Sequence, residues 1–346
     1  MTDEIVIRGY QPGDEHGLAA LFGRCFRREI SAEYWLWKLK SHSADFENVF
    51  VVTVGDRYVG QYVGVPVDAW VRGGVRPAID ICDTMVDPSM RRRGVLTRMG
   101  QYAHDSWRNA GVEFGYGLPN QQWGSRAAAI GWLELYPLPW LMRVLRPEAF
   151  LARRTGLLGL SRFSALGAAW RRVRPVRRPD PGIAFESLSN ASAELDVVAD
   201  AATKRSVLSL VRGAAWVERR YLSSPGAEYR VILARRDQTP VGYAVYRIHR
   251  NAHARAVITE VVSAHDDEAA FDSLVAAIES QALGRGVDAI VTLAVAGTED
   301  YERWRRNGFT PRKHAFSLQY VPLNDELSDK RDLRDWRFLP GDFDVV

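Results

Sequence analysis

The sequence predicts an α/β protein that contains two copies of one structural unit, each combining strands with helices. The first observation is size, because 346 residues with 47% hydrophobic content suffice for roughly two packed domains. The second is a series of strands and helices that recurs in the same order in both halves. The third is a strand that runs through an arginine- and glycine-containing turn into a helix, between residues 78 and 109.

The elements of the first half follow from its apolar spacing and its glycines. In chain order they are an aromatic helix containing Trp35-Leu-Trp-Lys38, two strands within 49–63, a strand at 79–86, a helix at 95–109, a strand at 112–117, and a short helix that ends in Gly131-Trp132. Gly111 ends the long helix, because glycine readily adopts the left-handed conformation found after helices.

The second half repeats this series. Its elements are an aromatic helix that begins at Trp216, two strands within 229–245, a strand at 256–262, a helix at 268–283, a strand at 289–295, and a short helix that ends in Gly308-Phe309. A duplication over so long a period predicts two related α/β domains, at 1–147 and 183–346.

A basic linker joins the two predicted domains at 148–182. Residues 146–178 contain nine arginines and a single acid, Glu148. We expect a helix or helix pair at about 148–172, and the prolines that follow predict an extended segment. A basic amphipathic helix can also lie on anionic lipid, but a position between two domains favours an interdomain helix with solvated arginines.

Composition narrows the function classes. A net charge of +4 does not favour nucleic-acid binding as the main task. No apolar run approaches the roughly 20 residues of a membrane span, and the N-terminal residues show no signal-peptide pattern. Cys25 and Cys82 lie among apolar residues and are expected to be buried thiols of a cytoplasmic protein. No spacing of histidines or cysteines predicts a metal site.

The turn after the third strand has the composition of a phosphate-binding site. Pro88 ends the strand, and Arg91-Arg-Arg-Gly94 leads into the helix. The first amides of a helix lack internal partners, the helix dipole favours an anion there, and arginine adds charge. Gly94 lets the backbone approach a ligand closely.

This turn resembles the signature loop of the GNAT superfamily of N-acetyltransferases, which reads Arg/Gln-x-x-Gly-x-Gly/Ala and holds the pyrophosphate of acetyl-CoA. Here Leu96 replaces the last small residue. The resemblance implies two tandem domains of α+β type, each a mixed, mostly antiparallel sheet flanked by helices, with a splayed central strand pair in the first. It also implies these acetyl-CoA contacts: Thr84, Met85 and Val86 on the acyl-pantetheine arm, Arg91, Arg92, Arg93, Gly94, Val95, Leu96 and Thr97 on the pyrophosphate, and Asn120 on pantetheine.

The second half lacks such a turn. The corresponding segment, Ser263-Ala-His-Asp-Asp-Glu268, has three acids and neither glycine nor arginine. Acids repel a diphosphate, so we expect only the first half to bind CoA.

Candidate catalytic residues follow from the need to deprotonate an amine before it attacks a thioester. Asp83, at the end of the central strand, is the first candidate for the base, and Glu33 on the aromatic helix is the second. The family's usual tyrosine acid falls at Ala127 in this chain. Tyr116 is therefore a candidate acid, although the thiolate can also leave unassisted.

These observations together predict an N-acyltransferase that moves an acetyl or other short acyl group from acyl-CoA to an amine of a small molecule or sugar, without a metal and as a possible homodimer. Two alternatives stay open: an aminoacyl-tRNA-dependent transferase of duplicated GNAT fold, and a non-catalytic acyl-CoA-binding protein. The tail at 340–346 is expected to be an exposed acidic terminus.

Overall fold

The chain divides into two compact units in its computed structural model, which describes residues 4–42, 44–119, 127–150, 164–204, 206, 208–250, 253–263, 267–327 and 336–343. Unit 1 comprises Met1–Pro137 and Phe316–Leu333, and unit 2 comprises Leu138–Ala315 and Arg334–Val346. Each unit therefore contains one long stretch of chain and one short stretch from near the carboxyl end. The predicted domain boundaries at 147 and 183 stay a prediction.

Unit 1 is a mixed, mostly antiparallel sheet with helices. Its elements are β1 (Ile5–Gly9), α1 (Asp14–Phe26), α2 (Ala32–Lys40), β2 (Val49–Val54), β3 (Arg57–Val71), β4 (Gly74–Val86), a 3₁₀ turn (Pro88–Met90), α3 (Val95–Asn109) and β5 (Phe114–Gly117). The first four strands pair antiparallel in chain order, and β5 pairs parallel with β4. Residues 319–322 of a late strand, β13 (Thr310–Pro322), then add antiparallel to β5.

The core of unit 1 forms on both faces of this sheet. Alternate residues of β2 point to opposite faces, so Val52 packs with Met99 and Trp107 of α3. Val51 packs on the other face with Leu21 of α1 and Trp35 of α2. The apolar alternation of the strands therefore fixes which helices cover which face.

The central strand β4 bulges just before the predicted phosphate turn. Cys82 lies opposite Val63 and Met85 opposite Gln61, so Asp83 and Thr84 together face one residue of β3. Asp83 has a φ of 41°, in the left-handed region that residues other than glycine rarely adopt. A bulge re-aims side chains and is common beside active sites.

The strands β4 and β5 pair only at Ile79–Asp80 and Gly115–Tyr116. Gly117 still lies close to β4, because a Cβ on it would stand 2.6 Å from the Ile81 carbonyl oxygen. Beyond that point β4 continues to Val86 without this partner. The splayed central pair implied by the family resemblance stays a prediction.

Unit 2 repeats the architecture. Its elements are β6 (Leu133–Val144, from Leu138 onward), α4 (Ser164–Val173), β7 (Ile183–Leu188), α5 (Glu194–Thr203), β8 (Leu208–Leu210), α6 (Ala214–Val217), a π-helical turn (Glu218–Leu222), β9 (Tyr229–Arg236), β10 (Thr239–Arg250), β11 (Ala254–Ser263), α7 (Glu268–Gly284), β12 (Ala289–Leu293), α8 (Glu299–Arg306), β14 (Trp336–Arg337) and a 3₁₀ turn (Pro340–Asp342).

The main sheet of unit 2 has the strand order β6-β12-β11-β10-β9-β7, with β11 and β12 parallel and the other pairs antiparallel. The pair β10–β11 also carries a bulge, at Thr259. No helix in the described ranges of either unit is long and apolar enough to cross a membrane.

The described residues of the carboxyl-terminal tail, 340–343, are buried and not exposed, which corrects the sequence-based expectation for Asp342. The Asp342 side chain is fully buried in unit 2 and forms an ion pair of 2.6 Å with Arg212, which is itself buried. Gly341 is required there, because a Cβ on it would stand 2.3 Å from Oε1 of the buried Glu260. Burying a carboxylate is tolerable only beside such a partner, and local sequence could not show that partner.

Candidate active site

The turn that links β4 to α3 has the backbone shape of an anion-binding loop. Arg92 and Gly94 both adopt positive φ, 65° and 74°, which curls the chain ahead of the helix. Gly94 is the N-cap of α3 and supplies no side-chain hydrogen bond, and the first turn of the helix contains no acid. The amino end of α3 therefore keeps its free amides and its partial positive charge.

Three arginines surround these amides. Arg91, Arg92 and Arg93 are all exposed, as is Gly94. The amides of Arg92, Arg93 and Gly94 donate no backbone hydrogen bond within the part of the chain that the structure describes. Outward-facing main-chain donors together with guanidinium groups are suited to bind a diphosphate.

Hydrogen bonds to the carboxylate of Asp87 fix the start of the turn. Its carboxylate accepts hydrogen bonds from the Ser89 amide at 3.0 Å and from Nε of Arg24 at 3.0 Å. Burial acts to raise the pKa of Asp87, but the bonds from Ser89 and Arg24 outweigh it and lower that pKa. The turn thus begins at Asp87, whose carboxylate is buried, ionised and already paired. The positive charges of the three following arginines are therefore left for a ligand.

The bulge places the predicted acyl-arm residues just ahead of this turn. Met85 is buried, and the Thr84 hydroxyl oxygen is buried with no hydrogen-bond partner among the described residues. The Val86 carbonyl oxygen accepts a hydrogen bond of 3.3 Å from Nε of Arg91. A buried hydroxyl without a partner is costly, so Thr84 offers a donor that a bound group can use.

Asp83 is held by α2 at its side chain and by β3 at its main chain. Nζ of Lys38 lies 2.6 Å from Oδ2 of Asp83, and both side chains are mostly buried. Nε2 of Gln61 donates a hydrogen bond of 3.0 Å to the Asp83 carbonyl oxygen. The side-chain oxygen of Gln61 in turn accepts a hydrogen bond of 2.9 Å from Nε1 of Trp35. Lys38 and Gln61 were missed as site residues. Lys38 was visible at the end of the aromatic motif, one helical turn after Trp35.

The other candidate residues lie elsewhere in unit 1. Glu33 is exposed in the first turn of α2, where hydrogen bonds from its own amide and from Ser31 lower its pKa. Tyr116 is fully buried and lies in register with the buried Asp80. Ala127 is buried in the core under α3. Asn120 falls outside the described residues. The structure therefore brings Lys38, and not Glu33, to Asp83.

The amino end of the corresponding helix in unit 2 is already neutralised. Asp267 caps α7, and its carboxylate accepts the Ala270 amide at 2.9 Å. Nη1 of Arg236 lies 2.6 Å from the same carboxylate. Burial acts to raise the pKa of Asp267, and the Arg236 and Ala270 bonds lower it overall. The Asp267 carboxylate thus already binds the amino end of α7. The amino end of α3, at Gly94, has no side-chain cap of this kind.

Residues 6–128 match the sequence model of the acetyltransferase (GNAT) domain family. This part of the chain is therefore similar to a GNAT acetyltransferase domain. The matched residues include β4, the turn and the start of α3. The resemblance inferred from the loop and from the order of elements is thereby confirmed.

Solved structures extend the likeness in fold over most of the chain. A GCN5-related N-acetyltransferase from Anabaena variabilis has a TM-score of 0.68 at 12% identity, over 93% of this chain and 73% of the other. A probable N-acyltransferase from Enterococcus faecalis V583 gives 0.68 at 11% identity, with the same two shares. Eis1 from Mycobacterium abscessus gives 0.60 at 17% identity, over 92% and 74%. No curated protein matches the chain in sequence.

Proposed function

We propose that unit 1 binds acetyl-CoA and transfers its acetyl group to an amine of a small molecule or sugar. The observation that carries this proposal is the uncapped amino end of α3, set on an arginine- and glycine-containing turn directly after a bulged strand. The family match at 6–128 covers the same residues.

The pyrophosphate would bind the amides and side chains at 91–97. The main chain of Thr84, Met85 and Val86 would face the thioester and pantetheine, and Asn120 would add a hydrogen bond to the pantetheine arm. The donor set fits, because residues 91–94 offer main-chain amides and three guanidinium groups, and residues 91–97 contain no acid. No cluster of His, Cys, Asp or Glu suited to a metal ion occurs among the described residues, and the proposed reaction needs none.

Asp83 would accept the proton of the attacking amine. Amines are mostly protonated near neutral pH, so a base must act before or during attack on the thioester. The carboxylate of Asp83 already binds one ammonium group, that of Lys38. The departing thiolate has a pKa of roughly 8 to 9 and can leave without the family's tyrosine, whose position Ala127 takes.

Acyl-CoA binding by unit 1 alone is the second part of the proposal. Asp267 and Arg236 support it, since a second anion at the amino end of α7 would meet a carboxylate that is already ionised. Unit 2 would then serve as a scaffold.

A binding protein without catalysis is the second candidate, and the buried Ala127 favours it because the usual acid is missing. Two measurements separate the candidates: a thermal-shift titration with acetyl-CoA, and a free-thiol assay with a panel of amino sugars, amino acids and polyamines. The transferase predicts a rise in melting temperature and amine-dependent thiol release. A melting shift without thiol release from any amine would favour binding alone, and no shift would contradict both.

A further inference from the structure

The ion pair between Lys38 and Asp83 places an amine of this chain at the candidate base. The two side chains expose only 17% and 14% of their surface, and 2.6 Å separates Nζ from Oδ2. This is the arrangement that an acceptor amine must adopt to lose its proton to Asp83.

The geometry of the pair is fixed from both partners. Trp35 and Leu39, on either side of Lys38 in α2, are buried in the core. Asp83 is fixed through its carbonyl oxygen by Gln61, which Trp35 also binds. The helix α2 thus carries the amine, and its Trp35 binds the β3 residue that fixes the base, so little conformational freedom remains between them.

The other lysines in the described part of the chain have different surroundings. Nζ of Lys40 lies 3.1 Å from Glu47 and 3.1 Å from Asn48. Lys204 forms a pair of the same 2.6 Å length with Asp200, but on the surface of unit 2 with both side chains more than half exposed. Lys313 is exposed on β13. Lys204 is therefore a matched control for Lys38, because it forms the same kind of ion pair away from the candidate active site.

We propose that Lys38 is itself an acceptor, and that unit 1 acetylates it in cis. The inference rests on the proposed function, since it takes its acetyl group from acetyl-CoA. Asp83 removes one proton from the Lys38 ammonium, and the neutral Nζ forms a bond to the thioester carbonyl carbon. The carbon–sulfur bond breaks, the nitrogen loses its second proton, and the departing thiolate takes up that proton and leaves as CoA. The products are Nζ-acetyl-lysine and free CoA.

Acetylation would change the site electrostatically. It removes the positive charge that pairs with Asp83 and leaves that carboxylate open to the ammonium group of a second amine. Lys38 would thus act first as an acceptor and afterwards, once neutral, as part of the wall of the acceptor site.

The test uses the full chain with isotopically labelled acetyl-CoA and no added amine, followed by intact mass and peptide mapping. We expect one added acetyl group, on Lys38, forming at least about 100-fold faster than on Lys204, which is the lower end of what a positioned base contributes. With acetyl-CoA saturating, the fraction of chains labelled per unit time should not depend on protein concentration. Labelling of Lys38 no faster than of Lys204, or a labelled fraction per unit time that rises in proportion to protein concentration, would overturn the proposal.

Matched variants separate chemistry from folding. Lys38→Arg should remove the label and Asp83→Asn should slow it, whereas Lys40→Arg should keep it, with folding of each checked by thermal melting. Calorimetric binding of acetyl-CoA separates the two proposals. Binding without labelling overturns the inference alone, and absence of binding overturns the proposed function as well.

Discussion

A carboxylate lies at the bulge between β3 and β4 in unit 1 and another beside the bulge between β10 and β11 in unit 2, and the two carboxylates differ in their neighbours. Asp83 in unit 1 is partly accessible and pairs with a lysine. Glu260 in unit 2 is fully buried, and its Oε1 accepts Nε1 of Trp216 at 3.0 Å. A partly accessible carboxylate can exchange protons with a bound amine, whereas a fully enclosed one has a structural role. We therefore propose Asp83, and not Glu260, as the base that accepts the proton of the amine.

Replacing Asp83 by asparagine should separate catalysis from binding. The variant keeps the shape of the side chain but cannot accept a proton, so kcat/KM for the best amine should fall at least about 100-fold. The Kd for acetyl-CoA should stay within about threefold, because the pyrophosphate turn is untouched. Steady-state thiol release and calorimetry measure the two quantities. Unchanged kcat/KM would exclude Asp83 as the base, and Glu33→Gln is the comparison variant.

Glu260 should make the stability of unit 2 depend on pH. Burial raises the pKa of Glu260 to about 7, from an ordinary value of 4.5. Between these values the folded protein binds a proton that the unfolded chain releases, so the free energy of unfolding falls as pH rises from 5 to 8. One pKa unit is worth about 1.4 kcal/mol, and we expect a fall of at least that size.

Urea denaturation at pH 5, 6, 7 and 8 measures this fall. The variant Glu260→Gln should flatten the dependence, whereas Glu228→Gln, on an exposed side chain, should leave it unchanged. Stability that rises with pH over this interval in the wild-type chain, and not in Glu260→Gln, would contradict the assignment.

At the scale of elements, two equivalent helices begin in opposite ways. The helix α3 begins at a glycine with no side-chain cap, and α7 begins at Asp267, which caps it and binds Arg236. An uncapped helix end is a cost to stability that a bound anion can offset, and a capped end has no such need. The difference between the two helix ends therefore agrees with the proposal that only unit 1 binds acyl-CoA.

The variant Asp267→Ala should destabilise unit 2 and leave ligand binding alone. Loss of the cap should lower the free energy of unfolding by about 1 kcal/mol, with a further contribution from the unpaired Arg236. Acetyl-CoA affinity should not change. Urea denaturation and calorimetry check both statements, and a weakened affinity for acetyl-CoA would place this residue in the binding site after all.

Local patterns predicted most elements but not their partners. The helix expected at 95–109 is α3, and the helix expected at 268–283 is α7 with one more residue. The strand expected at 79–86 begins earlier, at Gly74, because its first residues pair with β3 and not because of their own hydrophobicity. Lys38 and Gln61 escaped prediction for a similar reason, since only the folded sheet brings them to Asp83.

At the scale of the whole molecule, the division of the chain into units could not be predicted from sequence order. Residues 316–333 belong to unit 1 although residues 138–315 before them do not. Tyr320 is fully buried and pairs across the sheet with Tyr116. Such pairing over a long sequence separation leaves no local signal, because nothing near either strand marks its partner.

A fragment of residues 1–137 should therefore fail to fold, although it contains the whole family match. Without β13 the strand β5 becomes an open edge, and the apolar surface that Val321 and Leu323 cover is exposed. We expect binding of a hydrophobic dye and no cooperative thermal transition. A fragment that unfolds cooperatively and binds acetyl-CoA would show that residues 316–333 are dispensable.

The central claim is that main-chain amides at the amino end of α3 bind a diphosphate. Calorimetry with acetyl-CoA on Gly94→Glu and Gly73→Glu tests it most directly, because both glycines have positive φ and open space around a Cβ, and only Gly94 precedes a helix. A carboxylate beside a bound anion costs several kcal/mol, so Gly94→Glu should weaken binding at least about 100-fold while Gly73→Glu leaves it unchanged. Equal affinities in both variants would contradict the account.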